Sequence, residues 1–301
     1  MRFTKITRFL HIFRPVPTLV SAVFLCFWLT EDRFMEYLGL IGSLLSSLLN
    51  PTPAETSPGD PNWYQPGVDT HWQIQLQGAV NTGYAVDLYV LDLFDTPDNV
   101  IWDLQASNRR VICYFSAGSY EEWREDEGRF LPSDKGRNLD GWPGERWLDI
   151  RSQNVRNIMR DRIALAAEKG CDGVDPDNVD GYSNHTGFNL TSEDQLEYNR
   201  FLASQAHSNG LAISLKNDLE QVSELVDEFD FAINESCHQW NECDLLQPFI
   251  DAGKPVFHID YLYANDPQAR AALCATMNQK RFRSLTLPLE LDDSYRFSCT
   301  P

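Results

Sequence analysis

The sequence contains no Cys-x-x-Cys pair, so a thiolate zinc site is not expected. No glycine-rich turn follows the first long apolar run. Asp92-Leu93-Phe94-Asp95 stands there instead, which argues against an open doubly wound sheet that cradles a dinucleotide. Bases are scarce, with 25 Lys and Arg against 44 Asp and Glu. Residues 1–50 carry five bases and three acids, which leaves −21 on the rest of the chain. A body this acidic repels the phosphates of nucleic acid. It suits a cationic substrate, although solubility alone explains it equally well. Histidine is sparse too, at six residues, and only His185 lies near the main acidic cluster. It follows in a loop, so metal-dependent deacetylation finds no ligand set, and no metal or cofactor is expected.

What is present centres on Gly173-Val174-Asp175-Pro176-Asp177-Asn178-Val179-Asp180-Gly181. A short apolar approach followed by carboxylates two apart fits a buried parallel strand ending at a cleft. Asp175 and Asp177 at i and i+2 share one face of such a strand, and Pro176 marks the end of its regular ladder. An EF-hand fails on register: counted from Asp175, the fifth position is Val179 and the twelfth is Thr186. An isolated Asp-Pro-Asp is more often an acidic surface turn. Here the apolar approach and the strand-like neighbours favour a site.

The chain divides into residues 1–50 as a targeting segment and stem, 51–66 as a proline-rich linker, and 67–301 as the folded domain. Arg2, Lys5, Arg8 and Arg14 precede an apolar run, Val16 to Thr30, with acids after it and no Ala-x-Ala cleavage site. That charge placement keeps the N-terminus cytoplasmic and sends the rest outward. The reading is an uncleaved signal-anchor, with a cleaved signal peptide as the alternative. The cysteines fit export. Cys237 with Cys243 and Cys274 with Cys299 are expected to form disulfides, whereas Cys113 and Cys171 sit in apolar runs and read as buried thiols. Asn184 and Asn189 begin glycosylation sequons.

From Trp72 onward, strand and helix patterns alternate. Strands are predicted at Trp72–Gln77, Val86–Asp92, Val111–Phe115, Trp147–Ile150, Gly173–Asp177, Leu211–Leu215, Phe229–Asn234, Val256–Asp260 and Leu285–Leu289. Helices are predicted near Asp98–Ser107, in an acidic stretch from Tyr120, up to Ala167, and over Glu193–His207. Eight strands counted from Val86, with an extra one in front, predict an α/β fold: a (β/α)8 TIM barrel with an extra N-terminal strand.

Polar residues collect where these strands stop: Asp92, Ser116, Asp149, Asp175 with Asp177, Lys216 with Asn217, Glu235, and Asp260 with Tyr261. Singly, each is an ordinary strand-end cap or ion pair. Together they form a ring of carboxylates around one lysine, at the barrel end where active sites are built. Asp177 on the fourth strand and Glu235 on the sixth would face each other across the mouth, as glycoside hydrolysis requires. Tyr114, Trp142, Trp147, Tyr182, Trp240 and Tyr261 could stack on sugar faces, and Asn178 adds a polar contact. A catalytically silent sugar-binding barrel is the rival reading.

Several runs resemble glycoside hydrolase family 114, the endo-α-1,4-polygalactosaminidases. They are Val111 to Glu121 (VICYFSAGSYE), Trp142 to Arg151 (WPGERWLDIR), Gly170 to Tyr182 (GCDGVDPDNVDGY), Leu215-Lys216-Asn217-Asp218, and Phe231 to Cys237 (FAINESC). The last strand departs from it at Leu285-Thr286-Leu287-Pro288, where a lysine is more usual. The resemblance covers about Trp72 to Cys299. It implies a barrel that hydrolyses α-1,4-linked galactosamine polymers, with Asp177 and Glu235 as the catalytic pair. On that basis Asp177 is expected to attack and Glu235 to protonate, by retention. Asp92, Asp149, Asp175 and Asp260 are candidates for holding the substrate's amine, and Lys216 and Asn217 for its hydroxyls. The expected partner is a cationic polysaccharide, bound by a monomer tethered to a membrane.

Overall fold

The computed structural model describes residues 61–300. The predicted anchor, the stem and the linker as far as Asp60 lie outside them. Among the described residues no helix is long and apolar enough to cross a membrane.

In chain order the strands are β1 (Trp72–Gln75), β2 (Leu88–Asp92), β3 (Arg110–Ser116), β4 (Ser119–Glu121), β5 (Lys135–Asn138), β6 (Glu145–Leu148), β7 (Gly173–Asp177), β8 (Ala212–Lys216), β9 (Phe231–Glu235), β10 (Val256–Asp260), β11 (Arg283–Thr286) and β12 (Phe297–Ser298). Eight of them, β1-β2-β3-β7-β8-β9-β10-β11, run parallel side by side, and β12 adds antiparallel to β11. This is the barrel order, with two corrections. The strand read as extra, β1, is the first barrel strand. The segment around Trp147 is not in the barrel; β6 pairs antiparallel with β4 and β5 in a separate three-stranded sheet. The acidic helix expected from Tyr120 is replaced by β4 and the turns after it. In this order β7 is fourth and β9 sixth, the places expected for them.

Strand parity sorts the side chains into two layers. Ile74, Leu88, Val90, Ile112, Ala212, Phe231, Ile233, Phe257, Ile259 and Leu285 fill the barrel interior. The alternate positions, such as Tyr89, Leu91, Cys113, Phe115, Val174, Ile213 and Leu215, pack outward against helices including Gln153–Lys169 and Ser192–Ser208. Ser152 caps the first of these helices, and Gly170 ends it in the left-handed conformation at φ 83°. Thr191 and Asp194 form a capping box on the second. Gly173 is required at the base of β7, because a Cβ there would lie 2.8 Å from the Ala212 carbonyl oxygen and from Ile112.

The barrel seam between β11 and β1 is closed by side chains and by the C-terminal tail. The Trp72 indole donates to the Arg283 carbonyl at 2.8 Å, and Arg296 donates to the Trp72 carbonyl and the Gln73 side chain. Leu76 N–H donates to the Leu291 carbonyl, and Asp293 accepts from Gln73, Asn81 and Tyr84.

Cys237–Cys243 and Cys274–Cys299 are disulfides, as expected. Cys113 and Cys171 are also joined, correcting the reading of buried thiols. Cys113 faces outward on β3 opposite Val174, so the residue entering β7 arrives with its Cα 6.0 Å from that of Cys113. A cross-link spanning 58 residues stabilises by about 4 kcal/mol in the chain-entropy picture.

Candidate active site

The site is built on β7. Pro176 has no N–H to give, and the ladder to β8 stops at Val174 opposite Ile213, while the ladder to β3 continues to Ser116 opposite Asp177. Ala117 N–H and Gly118 N–H then donate to the Asp177 carbonyl. The chains come so close here that a Cβ on Gly118 would lie 1.7 Å from the Asn178 carbonyl oxygen, which only glycine permits. The Asp177 carboxylate is held on both oxygens: Tyr114 Oη donates to Oδ2 at 2.9 Å, and Asn178 N–H donates to Oδ1 at 2.7 Å. Burial, and after it the Asp177 charge, push the Tyr114 phenol well above its ordinary range, so it stays a donor.

Beneath Asp177 lies a buried ion pair. Lys216 Nζ donates to Asp175 Oδ2 at 3.1 Å and stands 3.9 Å from Asp177 Oδ1. Ser214 donates to the other Asp175 oxygen. Burial alone would push the lysine down, but Asp175, Asp177 and Glu235 more than reverse this and keep it protonated.

Glu235 ends β9. Tyr261 Oη donates to Oε1, and Asn217 Nδ2 donates to Oε2 at 3.1 Å. The Asn217 side-chain oxygen, Oδ1, accepts the Glu235 N–H at 2.9 Å and a hydrogen bond from Asn234 Nδ2. One asparagine therefore fixes both the backbone and the side chain of Glu235. Asn178, Asn217 and Ser236, each just past a strand end of the site, are left-handed at φ 60°, 51° and 65°. That conformation is cheap for asparagine and costly for serine.

Asp177 and Glu235 face one cleft of about 260 Å³, together with Tyr114, Trp142, Glu145 and Asp180. A larger cavity of about 870 Å³ adjoins it, runs toward β1 and β2, and shares Tyr114, Trp142 and Glu145 with it. Trp147, Asn178, Lys216 and Asn217 also line the cleft, so eight expected residues meet there, Trp142 among them. Asp175 and Ser116 lie fully buried behind it; Ser116 bonds to Ser119 and Asn178 and so ties the β3 and β7 ends together.

Four expected contacts are engaged by other groups of the protein, although Asp92 also lines the larger cavity. Asp92 is buried and held by Arg124 at 3.0 and 2.7 Å. Asp149 follows the small sheet and is clamped by Arg151 at 2.8 and 3.0 Å. Asp260 has the wrong parity; it caps the N–H groups of Leu262 and Tyr263. Tyr182 donates to Glu220 and is not among the residues lining the cleft. Conversely, sequence reasoning missed Glu145 and Asp180. Both stand in the quoted runs, Asp180 as the third acid of the central stretch, but neither has the strand-end position that drew attention to the others.

Behind the cleft, Asp218 accepts from Asn199 at 2.8 Å through one oxygen and leaves the other buried without a partner. Burial and then the Asp180 carboxylate push its carboxyl up to about 8, against roughly 3.9 in an unfolded chain. The native state therefore holds a proton that the unfolded state has lost. This contribution is complete below about pH 4 and disappears as pH rises to about 8. Asp218→Asn, which also suits the left-handed backbone at φ 44°, removes this titration. Melting curves from pH 5 to 9 should show the wild type losing stability relative to the variant as pH rises; parallel curves would contradict it.

Residues 53–301 match the model of glycoside-hydrolase family GH114. No curated protein matches the chain. Among solved structures, the chain is similar to the Aspergillus fumigatus protein Ega3, crystallised with galactosamine. They share 41% identity with a TM-score of 0.75, over 82% of this chain and 100% of that one. It is similar in fold to the glycoside hydrolase domain of PelA from Pseudomonas aeruginosa, at 17% identity and TM-score 0.59 over 74% of this chain and 96% of that one. The trehalulose synthase MutB from Pseudomonas mesoacidophila MX-45 shares the fold at 12% identity and TM-score 0.54, over 76% of this chain and 66% of that one.

Proposed function

The chain belongs to glycoside-hydrolase family GH114 and is a glycoside hydrolase, and from that premise we propose that it cuts α-1,4-linked galactosamine polysaccharide internally, with Asp177 and Glu235 as the reacting pair. The observation that carries this is the convergence of two carboxylates, from the ends of β7 and β9, on one cleft. The galactosamine bound by the similar Aspergillus protein supports the sugar, and the charge of −21 on the body favours a polymer of free amines.

Asp177, oriented by Tyr114 and Asn178, attacks the anomeric carbon as the glycosidic bond breaks. Glu235 gives its proton to the leaving oxygen. In the second step Glu235 takes a proton from water, whose oxygen attacks the same carbon and releases Asp177. Two displacements retain the anomeric configuration. Incubation with a de-N-acetylated α-1,4-galactosaminan should release new reducing ends while chain length falls early, as internal cutting requires. Proton NMR should show the α-anomer first. A first-formed β-anomer would mean inversion, and binding without new reducing ends would leave only a sugar-binding barrel.

The enzyme acts as a monomer outside the cell. Three disulfides support export, as do the exposed sequon residues Asn184 and Asn189. The run from Val16 to Thr30 is proposed to keep it on the membrane, with the proline-rich stretch as spacer. Activity wholly in the medium, with a new N-terminus past Thr30, would replace the anchor with a cleaved signal peptide.

A further inference from the structure

The four carboxylates expected to hold the substrate's amine are already committed: Asp92 to Arg124, Asp149 to Arg151, Asp175 to Lys216 and Ser214, and Asp260 to two backbone N–H groups. Glu145 is not. It begins β6 and lines both the catalytic cleft and the larger cavity beside it. Its side chain is nearly buried, at 8% exposure. Ser119 Oγ donates to Oε2 at 2.6 Å, and Oε1 has no hydrogen-bond partner among the described residues.

The charge balance around it is lopsided. Glu145 stands opposite Glu121 in the β4–β6 ladder, an arrangement that like charges disfavour. Glu121 is compensated by Arg124 at 2.8 Å and Arg162 at 3.7 Å. Among the described residues Glu145 forms no salt bridge of its own. Burial, and then the charges of Glu121 and Asp177, push its carboxyl up to about 7. A buried carboxyl with one free oxygen, at the junction of two cavities and lacking a cation, leaves a place that a cation from outside would fill.

We propose that Glu145 accepts from the ammonium of an amino sugar seated at this junction, in the unit next to the catalytic pair, and so sets the preference for free-amine over N-acetylated chain. The proposal rests on the galactosamine reading above and adds the residue that reads the amine. Glu145→Gln keeps the shape and the Ser119 hydrogen bond while removing the charge, so loss of a charge-assisted hydrogen bond should lower kcat/KM on the fully de-N-acetylated polymer roughly 10- to 100-fold, mainly through KM.

The decisive readout is the product pattern from a randomly half-acetylated polymer, sequenced by mass spectrometry. Wild-type products should carry a free amine at one fixed position beside the cut, and Glu145→Gln products should carry it there no more often than the polymer average. Slower cutting with the enrichment intact would assign Glu145 a purely structural role and overturn the proposal. Unchanged cutting by the variant would overturn it as well. A wild-type enzyme that cuts neither polymer would instead remove the galactosamine reading, and the proposal with it.

Discussion

Asp177→Asn and Glu235→Gln should each lower turnover by about 10³-fold or more, with little change in melting temperature. Proton transfer by a placed group is worth roughly 10²- to 10⁴-fold, and loss of a nucleophile removes the covalent route altogether. The fold should survive because each side chain ends a strand and faces the cleft rather than the core. The isosteric amides also keep oxygens that can accept from Tyr114 and from Tyr261 or Asn217. The two roles separate on a substrate whose leaving group needs no proton, such as an activated aryl galactosaminide. Glu235→Gln should recover its first step there, and Asp177→Asn should not. Recovery by Asp177→Asn, or near-wild-type activity in either variant, would reverse or remove the assignments.

Lys216→Met should cost more stability than Asp177→Asn or Glu235→Gln. The lysine is 2% exposed and is the cation facing both Asp175 and Asp177. Its removal strands Asp175 as an uncompensated charge in a fully buried position. Breaking a buried pair in this way costs about 3–5 kcal/mol. For a domain of this size that lowers the melting temperature by roughly 10 °C. Adding Asp175→Asn to Lys216→Met should restore part of the loss, because the stranded charge is then gone. Strictly additive losses in the double variant would show that the pair does not act as a unit.

How much of this is legible in the sequence follows from what parity and locality reveal. Asp177 and Glu235 end apolar runs in the correct phase, and that both point into the barrel follows from strand alternation. Asp260 ends a run as clearly but lies one residue out of phase with Ile259, which points into the barrel. Asp92 is neutralised by Arg124, far along the chain on the excursion between β3 and β7, and nothing local announces that partner. Trp147 sits in an apolar stretch of the same texture as a barrel strand, and only pairing distinguishes them. The Cys113–Cys171 bond depends on β3 and β7 being neighbours, a fact of topology rather than composition. Glu145 escapes because its environment is assembled from β4, β6 and the barrel rim together.

The seam of the barrel has a consequence in time. Arg283, Leu291, Asp293 and Arg296, which draw β11 and the C-terminal tail against β1, all follow the strands bearing Asp177 and Glu235. A chain made from its N-terminus has therefore already emitted both Asp177 and Glu235, the proposed reacting pair, before the residues that shut the cylinder exist. Until then Trp72 and Ile74 lack their neighbours Leu285 and Leu291, and the nascent sheet presents an apolar edge. The C-terminal tail acts as a clasp, made after every strand it holds.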